Sequence, residues 1–342
     1  MSDYKVKIGL NQSLLKKILD HPQNFLLAQK KYAQQLENKR NGIVESIPEH
    51  FLFGHIVDHK LTEDSDFEDS FYIVKDENNP SDKICEIINL FYNEYSNSGL
   101  LENHKQRLLE AAYKLDYGKS WKAETVVSKI IEGGKSYFQQ LQKANNKIKI
   151  TQSDYDKATL AVASLKSEVS TSYYLRKTKT VEIFKKPTIE FTFSNILFKG
   201  ELDIVTVDHE KKIIFPVDVK TTSKPVHKFI NEFWSYMYYF QPVIYTKGLL
   251  THPIFKPLID QGYTIGPFKF LVVEKDGFRK PMVYSITEEI MNLSINGGTL
   301  SNNKKVIGVK EAIMKYKYHL ESNNWDYPSD YYQNGGEALI TI

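Results

Sequence analysis

Cysteine is almost absent: Cys85 stands alone in 342 residues. An intramolecular disulfide is therefore impossible. A cysteine-based zinc site or an iron–sulfur cluster is excluded as well, since each needs several thiolates. Long hydrophobic runs are missing too. Nothing approaches the roughly 18 consecutive apolar residues of a membrane span, and the opening MSDYKVKIGLNQ has no apolar stretch of the secretory kind. The expectation is a soluble, cytoplasmic protein with no membrane partner. Nor does one sign of charge prevail: 45 Lys+Arg oppose 42 Asp+Glu, a formal net of +3. Any affinity for nucleic acid then has to come from a local patch and not from a global field. Internal repeats and long low-complexity linkers are also lacking. What is present is a hydrophobic fraction of 41%, with 13% aromatic residues. That suffices for a large core without covalent staples and argues against disorder. The length allows one large domain or two small ones.

Three regions differ in pattern. Residues 1–175 read as mostly helical, 180–222 as β-rich and 226–342 as mixed. Leu14, Leu15, Ile18 and Leu19 recur at helical spacing behind two N-cap candidates, Asn11 and Ser13. Further helices are predicted over 51–61, 84–95, 103–116, 123–144 and 151–173, the last opened by a capping box of Ser153 and Asp156. Runs rich in β-branched and aromatic residues predict strands at 181–184, 188–193, 196–207 and 213–221, with a polar turn at 208–212 between the last two. A helix over 227–247, capped by Gly248, follows. Residues 266–275 and 281–286 read as a hairpin through Asp276-Gly277, and 310–320 as a closing helix. Residues 76–82 and 292–303 read as loops from their composition.

The chemistry is concentrated between Gly200 and Lys220. If 196–207 and 213–221 pair as a hairpin about the 208–212 turn, Asp203 falls opposite Asp218. Like charges so placed, with Cβ atoms about 5 Å apart, are destabilising. A divalent cation between them removes the conflict, and Mg²⁺ takes carboxylate oxygens while keeping waters for a phosphate substrate. Lys220, two residues beyond Asp218, shares its face of the strand and can act on water or on developing phosphate charge. The competing interpretation is an ordinary cross-strand ion pair, because Glu201 would lie opposite Lys220 in the same register. Pro216 within the strand suggests a bulge. On the next helix Gln241 and Tyr245 are spaced i, i+4, with Trp234 and Tyr238 continuing the face upstream. Such aromatic stripes usually pack, but a buried Gln needs partners for its amide.

The order Gly-x-Leu-Asp at 200–203, Val-Asp-Val-Lys at 217–220 and Gln-x-x-x-Tyr at 241–245 resembles the PD-(D/E)XK nuclease superfamily. The likeness is greatest to its RecB-like branch, which includes phage and prophage exonucleases of the exodeoxyribonuclease VIII type. The resemblance implies an α/β fold with a restriction-endonuclease-like core: a mixed central β-sheet flanked by helices. It implies one nuclease domain over 1–342, with 180–250 as catalytic core and 84–175 as a helical elaboration. Asp203 and Asp218 would hold Mg²⁺, for which Mn²⁺ substitutes, with the backbone carbonyl of Val219 assisting. Lys220 would position or activate water, and Gln241 and Tyr245 would support the site or touch DNA. An upstream helix with a Gly closely followed by a His or an Asp also fits. Here Gly54 is followed by Asp58 at the better spacing and by His59 one residue on; His55, Asp58 and His59 share a helical face. Glu190 is either a further site carboxylate or a solvent-facing residue.

The resemblance further implies DNA as substrate and a role in phage or prophage recombination in a bacterial cell. A single-strand annealing protein would be a partner, and the chain could form a ring-like homo-oligomer. Arg176, Lys177, Lys179, Lys185, Lys186, Lys199, Lys220, Lys224 and Lys228 could track phosphates. Tyr173, Tyr174, Trp234 and Tyr236 could stack on unpaired bases. The alternatives are a structure-selective or nicking endonuclease on the same fold, and a non-catalytic nucleic-acid-binding protein.

Overall fold

The computed structural model describes residues 9–40, 47–63, 67–74, 80–95, 97–144 and 147–340. The chain opens with α1 (Gln12–Asp20), α2 (Pro22–Arg40) and α3 (Glu49–Thr62), followed by α4 (Phe67–Ser70), β1 (Phe71–Val74), α5 (Asp82–Glu94), α6 (Lys105–Lys114), α7 (Ala123–Ala144) and β2 (Ile148–Thr151). Next come α8 (Gln152–Ser167), α9 (Val169–Ser172) and five strands: β3 (Val181–Lys185), β4 (Thr188–Phe193), β5 (Ile196–Glu201), β6 (Ile204–Asp208) and β7 (Ile213–Thr222). The chain continues through α10 (Phe229–Ser235), α11 (Phe240–Leu249), α12 (Phe255–Asp260), β8 (Thr264–Ile265), β9 (Lys269–Glu274) and β10 (Met282–Ser285). It closes with α13 (Glu288–Asn296), β11 (Gly298–Thr299), β12 (Lys305–Val306), α14 (Val309–Ser322) and α15 (Ser329–Gln333). Among the described residues no helix is long and apolar enough to cross a membrane.

Two compact units form. One gathers Met1–Asn41, Glu49–Asp64 and Lys157–Ile342, the other Gly42–Pro48 and Ser65–Asp156. In the second, α5, α6 and α7 pack around Ile87, Phe91, Leu108, Ile130 and Phe138, and β1 pairs with β2 in parallel.

The first unit is mixed α/β, with a central mixed sheet flanked by helices. The sheet runs β10-β9-β7-β6-β3, and β8 also pairs with β7. Strand β7 is antiparallel to β6 but parallel to β8 and β9. Every residue of β9 is buried, and its Phe-Leu-Val-Val run does not alternate, as a strand covered on both faces requires. Helix α1 starts where Asn11 Oδ1 accepts the Leu14 N–H at 2.9 Å, an N-cap that satisfies one orphan donor. Its Leu14, Leu15 and Ile18 enter the core with Phe198, Phe240 and Phe270. Trp325 stacks between Phe25 and His319, at 5.6 and 5.4 Å between centroids, and so docks the segment after α14.

Several expectations change. The predicted strand over 196–207 is two strands in different sheets, broken at Leu202-Asp203; β5 pairs with β4 in a separate hairpin, where Glu201 faces Thr188 and not Lys220. Pro216 causes no bulge: it stays in register with Val205. It lies where the parallel neighbour of β7 changes from β8 at 213–214 to β9 at 217–222, a gap that tolerates a residue lacking an N–H. The helix expected over 227–247 breaks between α10 and α11, with Met237 at φ +50°. Gly248 does not cap it but lies inside α11, buried against Ile189. The helix expected over 151–173 is interrupted at Glu168, which has extended backbone. Its cap is Thr151, whose Oγ1 accepts the Asp154 N–H at 3.0 Å and donates to Asp154 Oδ2 at 2.8 Å, two residues before the expected box. The expected loop over 292–303 begins as the end of α13. Of the loop expected over 76–82, residues 76–79 lie outside the described residues and Asp82 opens α5. Helix α2 was not anticipated, because its apolar residues follow no clean helical stripe.

A Cβ at Gly248 would lie 2.4 Å from Ile189 Cδ1 and 2.7 Å from Ile189 Cβ, a contact no side chain tolerates without a backbone shift. Gly248→Ala is therefore expected to destabilise the first unit by about 1–3 kcal/mol, the usual cost of overpacking. Urea denaturation checks this, and an unchanged midpoint would contradict the close approach of α11 to the β4–β5 hairpin.

Candidate active site

The β6–β7 ladder runs from Ile204↔Val217 to Asp208↔Ile213. Extending it by one pair brings Asp203 level with Asp218, the register expected from the turn. That turn is fixed by Asp208 Oδ1, which accepts the Lys211 N–H at 2.9 Å. Asp203 itself has left the ladder. Its Oδ2 accepts the backbone N–H of Val219 at 2.8 Å, and its carbonyl accepts the Lys186 N–H at 3.0 Å. The side chain is thereby held across the gap between two strands.

Asp218 is 3% exposed. Its Oδ1 accepts a hydrogen bond from Gln241 Nε2 at 2.9 Å, and Lys220 Nζ lies 2.5 Å from its Oδ2. Gln241, on the first turn of α11, is equally buried. The Lys220 ammonium also lies 4.7 Å from the Tyr238 ring centroid and 6.0 Å from that of Phe270, a favourable setting for a desolvated cation. Burial pulls the Lys220 pKa down, but Asp218 and Asp203 outweigh it and hold the amine above its usual range.

Asp58, from α3, joins the same cluster through Lys186. The Lys186 ammonium is 2.6 Å from each Asp58 carboxylate oxygen and 3.1 Å from Asp203 Oδ1. His59, the alternative to Asp58, instead directs Nε2 toward Glu63 at 3.6 Å. Burial, with the Asp203 charge adding to it, pushes the Asp58 carboxyl up to about 6. Burial and Asp203 likewise push Asp218 up to about 6, against the pull of Lys220. Residues that could hold a hard divalent ion here are Asp58, Asp203 and Asp218. Among the described residues, however, no three His, Cys, Asp or Glu side chains gather as a preformed metal cage.

Tyr245 sits one turn beyond Gln241 in the core, stacked on Phe268 at 6.1 Å and against the position a Cβ on Gly200 would take, 2.9 Å away. Trp234 does not continue the Gln241–Tyr245 face, because it lies on α10 and the chain breaks between it and α11. Glu190 is outside the cluster: it faces Lys199 across the β4–β5 hairpin, with the charged atoms 3.5 Å apart. Lys199 is buried there and so is not part of an open basic path, whereas Arg176, Lys177, Lys179, Lys185, Lys224 and Lys228 are exposed. Tyr173 and Tyr174 meet Phe215 edge-on, and Tyr236 is 56% exposed.

Two lysines acquire roles the sequence did not assign. Lys186, expected on a phosphate path, bridges two acids. Lys16, from α1, brings its ammonium to 5.3 Å from the Tyr238 centroid. Burial and the Lys220 charge push its pKa down to about 7. Its helical setting gives no sequence signal for this, since its i−4 and i+4 neighbours are the polar Gln12 and Asp20.

No protein-family model matches this sequence, and no curated protein matches it. Among solved structures, the crystal structure of a "putative exonuclease" from Eubacterium rectale aligns over 79% of this chain and 96% of its own, with 11% identity and a TM-score of 0.34. A score and identity that low do not establish a common fold.

The folded-state values of Asp58 and Asp218 lie above those of unfolded carboxylates, so the folded chain keeps protons that the unfolded chain releases. Their contribution to stability is fully present below about pH 4 and is lost as pH rises through about 6. Carboxyl ¹³C shifts of the metal-free protein should show both groups titrating near 6. Asp203→Asn should move both midpoints down, since the Asp203 charge raises each; midpoints in the ordinary range in the parent protein would refute this.

Proposed function

We propose that this chain is a divalent-metal-dependent deoxyribonuclease of the PD-(D/E)XK type, acting as an exonuclease. The observation that carries the proposal is the convergence of Asp203 and Asp218 from adjacent strands with Lys220 on the same strand as Asp218, supported by Gln241 from the following helix. The donors also suit a hard cation. They are carboxylate oxygens, which favour Mg²⁺ and Mn²⁺ over softer metals. Asp218 Oδ2 is buried and receives no aligned hydrogen bond, only the nearby Lys220 ammonium. Asp203, Asp218, Asp58 and the Val219 carbonyl would hold the ion. When bound it would supply Lewis-acid polarisation of the phosphate and a more acidic water.

The remaining chemistry belongs to the chain. The Lys220 ammonium, already positioned by Tyr238 and Asp218, can orient water and stabilise negative charge as it develops on the phosphoryl oxygens. Gln241 orients the Asp218 carboxylate by donating to Oδ1, which leaves Oδ2 facing the Lys220 ammonium. Exposed lysines and Arg176 would hold phosphates without reading bases, which suits an end-directed enzyme. Tyr236 would offer a face to an unpaired base. By the same resemblance the process served is phage or prophage recombination, beside a single-strand annealing protein and with a homo-oligomer as the working form.

Digestion of end-labelled linear duplex in Mg²⁺, compared with covalently closed circles, tests the reading. Progressive loss of linear DNA with intact circles is expected; nicked circles would make the enzyme an endonuclease. Asp218→Ala should abolish cleavage while metal-free DNA binding persists. Lys220→Ala should lower turnover by about 10²-fold or more, the scale of losing one electrostatic stabiliser, with little change in affinity. Wild-type cleavage by Asp218→Ala would end the proposal.

A further inference from the structure

Lys186 lies at the junction of β3 and β4 with φ +51°, a left-handed conformation that is uncommon for a residue bearing a Cβ. Two backbone bonds impose it: the Lys186 N–H donates to the Asp203 carbonyl and the Leu202 N–H to the Pro187 carbonyl, each at 3.0 Å. This clamp ties the β3–β4 turn to the residues just before β6. It aims the lysine side chain inward, where it is only 17% exposed. Its ammonium then sits between Asp58 and Asp203, 2.6 Å from both oxygens of one and 3.1 Å from the other. Strain held at one residue, to place one charge, is the pattern expected where a side chain has a task.

Resting on the metal reading above, we propose that Lys186 is an internal counter-cation that competes with the divalent ion for Asp58 and Asp203. In the metal-free protein its charge offsets the repulsion between two partly buried carboxylates. A divalent ion seated between the same two carboxylates would meet the ammonium's like charge at close range, so ion binding would drive the ammonium to withdraw. The measured metal affinity is then the intrinsic affinity reduced by the fraction of molecules in which Lys186 has left. Lys186 is in this sense a positioning residue: it keeps the acids together until the ion replaces it.

Mn²⁺ is the probe, titrated into the metal-free full chain with free ion followed by its EPR signal and binding checked by calorimetry. Lys186→Met removes the charge. Lys186→Gly removes it and also suits the positive φ, so it folds even if the methionine variant does not. Both variants should bind Mn²⁺ at least about fivefold more tightly than the parent protein. Their melting temperatures, followed by circular dichroism, should rise more on addition of Mn²⁺ than the parent's does. A purely structural lysine would lower the melting temperature without tightening Mn²⁺ binding, and equal or weaker binding by a folded variant overturns the inference while leaving the metal site intact. If parent and variants alike bind no Mn²⁺, or if Asp203→Asn leaves parent binding unchanged, the metal reading itself falls and the inference falls with it.

Discussion

The carboxylate of Asp203, bonded to the Val219 N–H of the neighbouring strand, determines how the rest of the site is built. That bond holds one partly buried acid beside another, the buried Asp218, where little water remains to screen them. Interaction between unit charges grows as the surroundings lose polarity, so the fold has to supply counter-charge. It does so with Lys220 on one side and Lys186 on the other. Both amines stay protonated despite burial because the acids outweigh the desolvation. The acids are nonetheless incompletely satisfied, and Asp58 and Asp218 keep raised pKa values. A cluster that only had to be stable would be easier to build from apolar residues of similar volume.

Close packing behind the cluster gives it precision. Helix α11 approaches the β4–β5 hairpin through two glycines: Gly248 faces Ile189, and Gly200 faces both Ile189 and Tyr245. Tyr245 fills the space between Gly200 and Phe268, which fixes the depth of the helix. One turn earlier, Gln241 reaches Asp218. The break between α10 and α11 is part of the same arrangement. It frees Tyr238 from the helix and brings its ring to the ammonium groups of both Lys16 and Lys220. The core motif thus depends on α1, far away in sequence, for a third amine whose charge is held low by the other two features of the pocket, burial and Lys220.

Much of this was legible in the sequence because its determinants are local. Helices α1, α3, α5 and α7, the paired strands around the 208–212 turn and the hairpin through Gly277 follow from periodicity, capping and turn chemistry. The register that brings Asp203 level with Asp218 follows from counting outward from one turn. The break at Leu202-Asp203 was not legible, since β-propensity continues through it; the strand changes sheets because Asp203 bonds Val219 and Lys186 bonds Asp203, contacts absent from any local window. The helix break at 236–239 was hidden for the same reason.

The sequence alone determined which residues could do chemistry and in what order they come: two aspartates and a lysine at strand spacing, and a glutamine on the helix that follows. Those are properties of residue type and interval. Only the tertiary structure decided which charges face one another. It turned Glu201 away to Thr188 and Glu190 to Lys199, set Asp58 against Lys186 and His59 against Glu63, and brought Lys186 and Lys16 into the cluster. Long side chains from distant elements meet only once packing has fixed their backbones, and burial then sets the energy of each meeting. Neither quantity is encoded in the interval between residues.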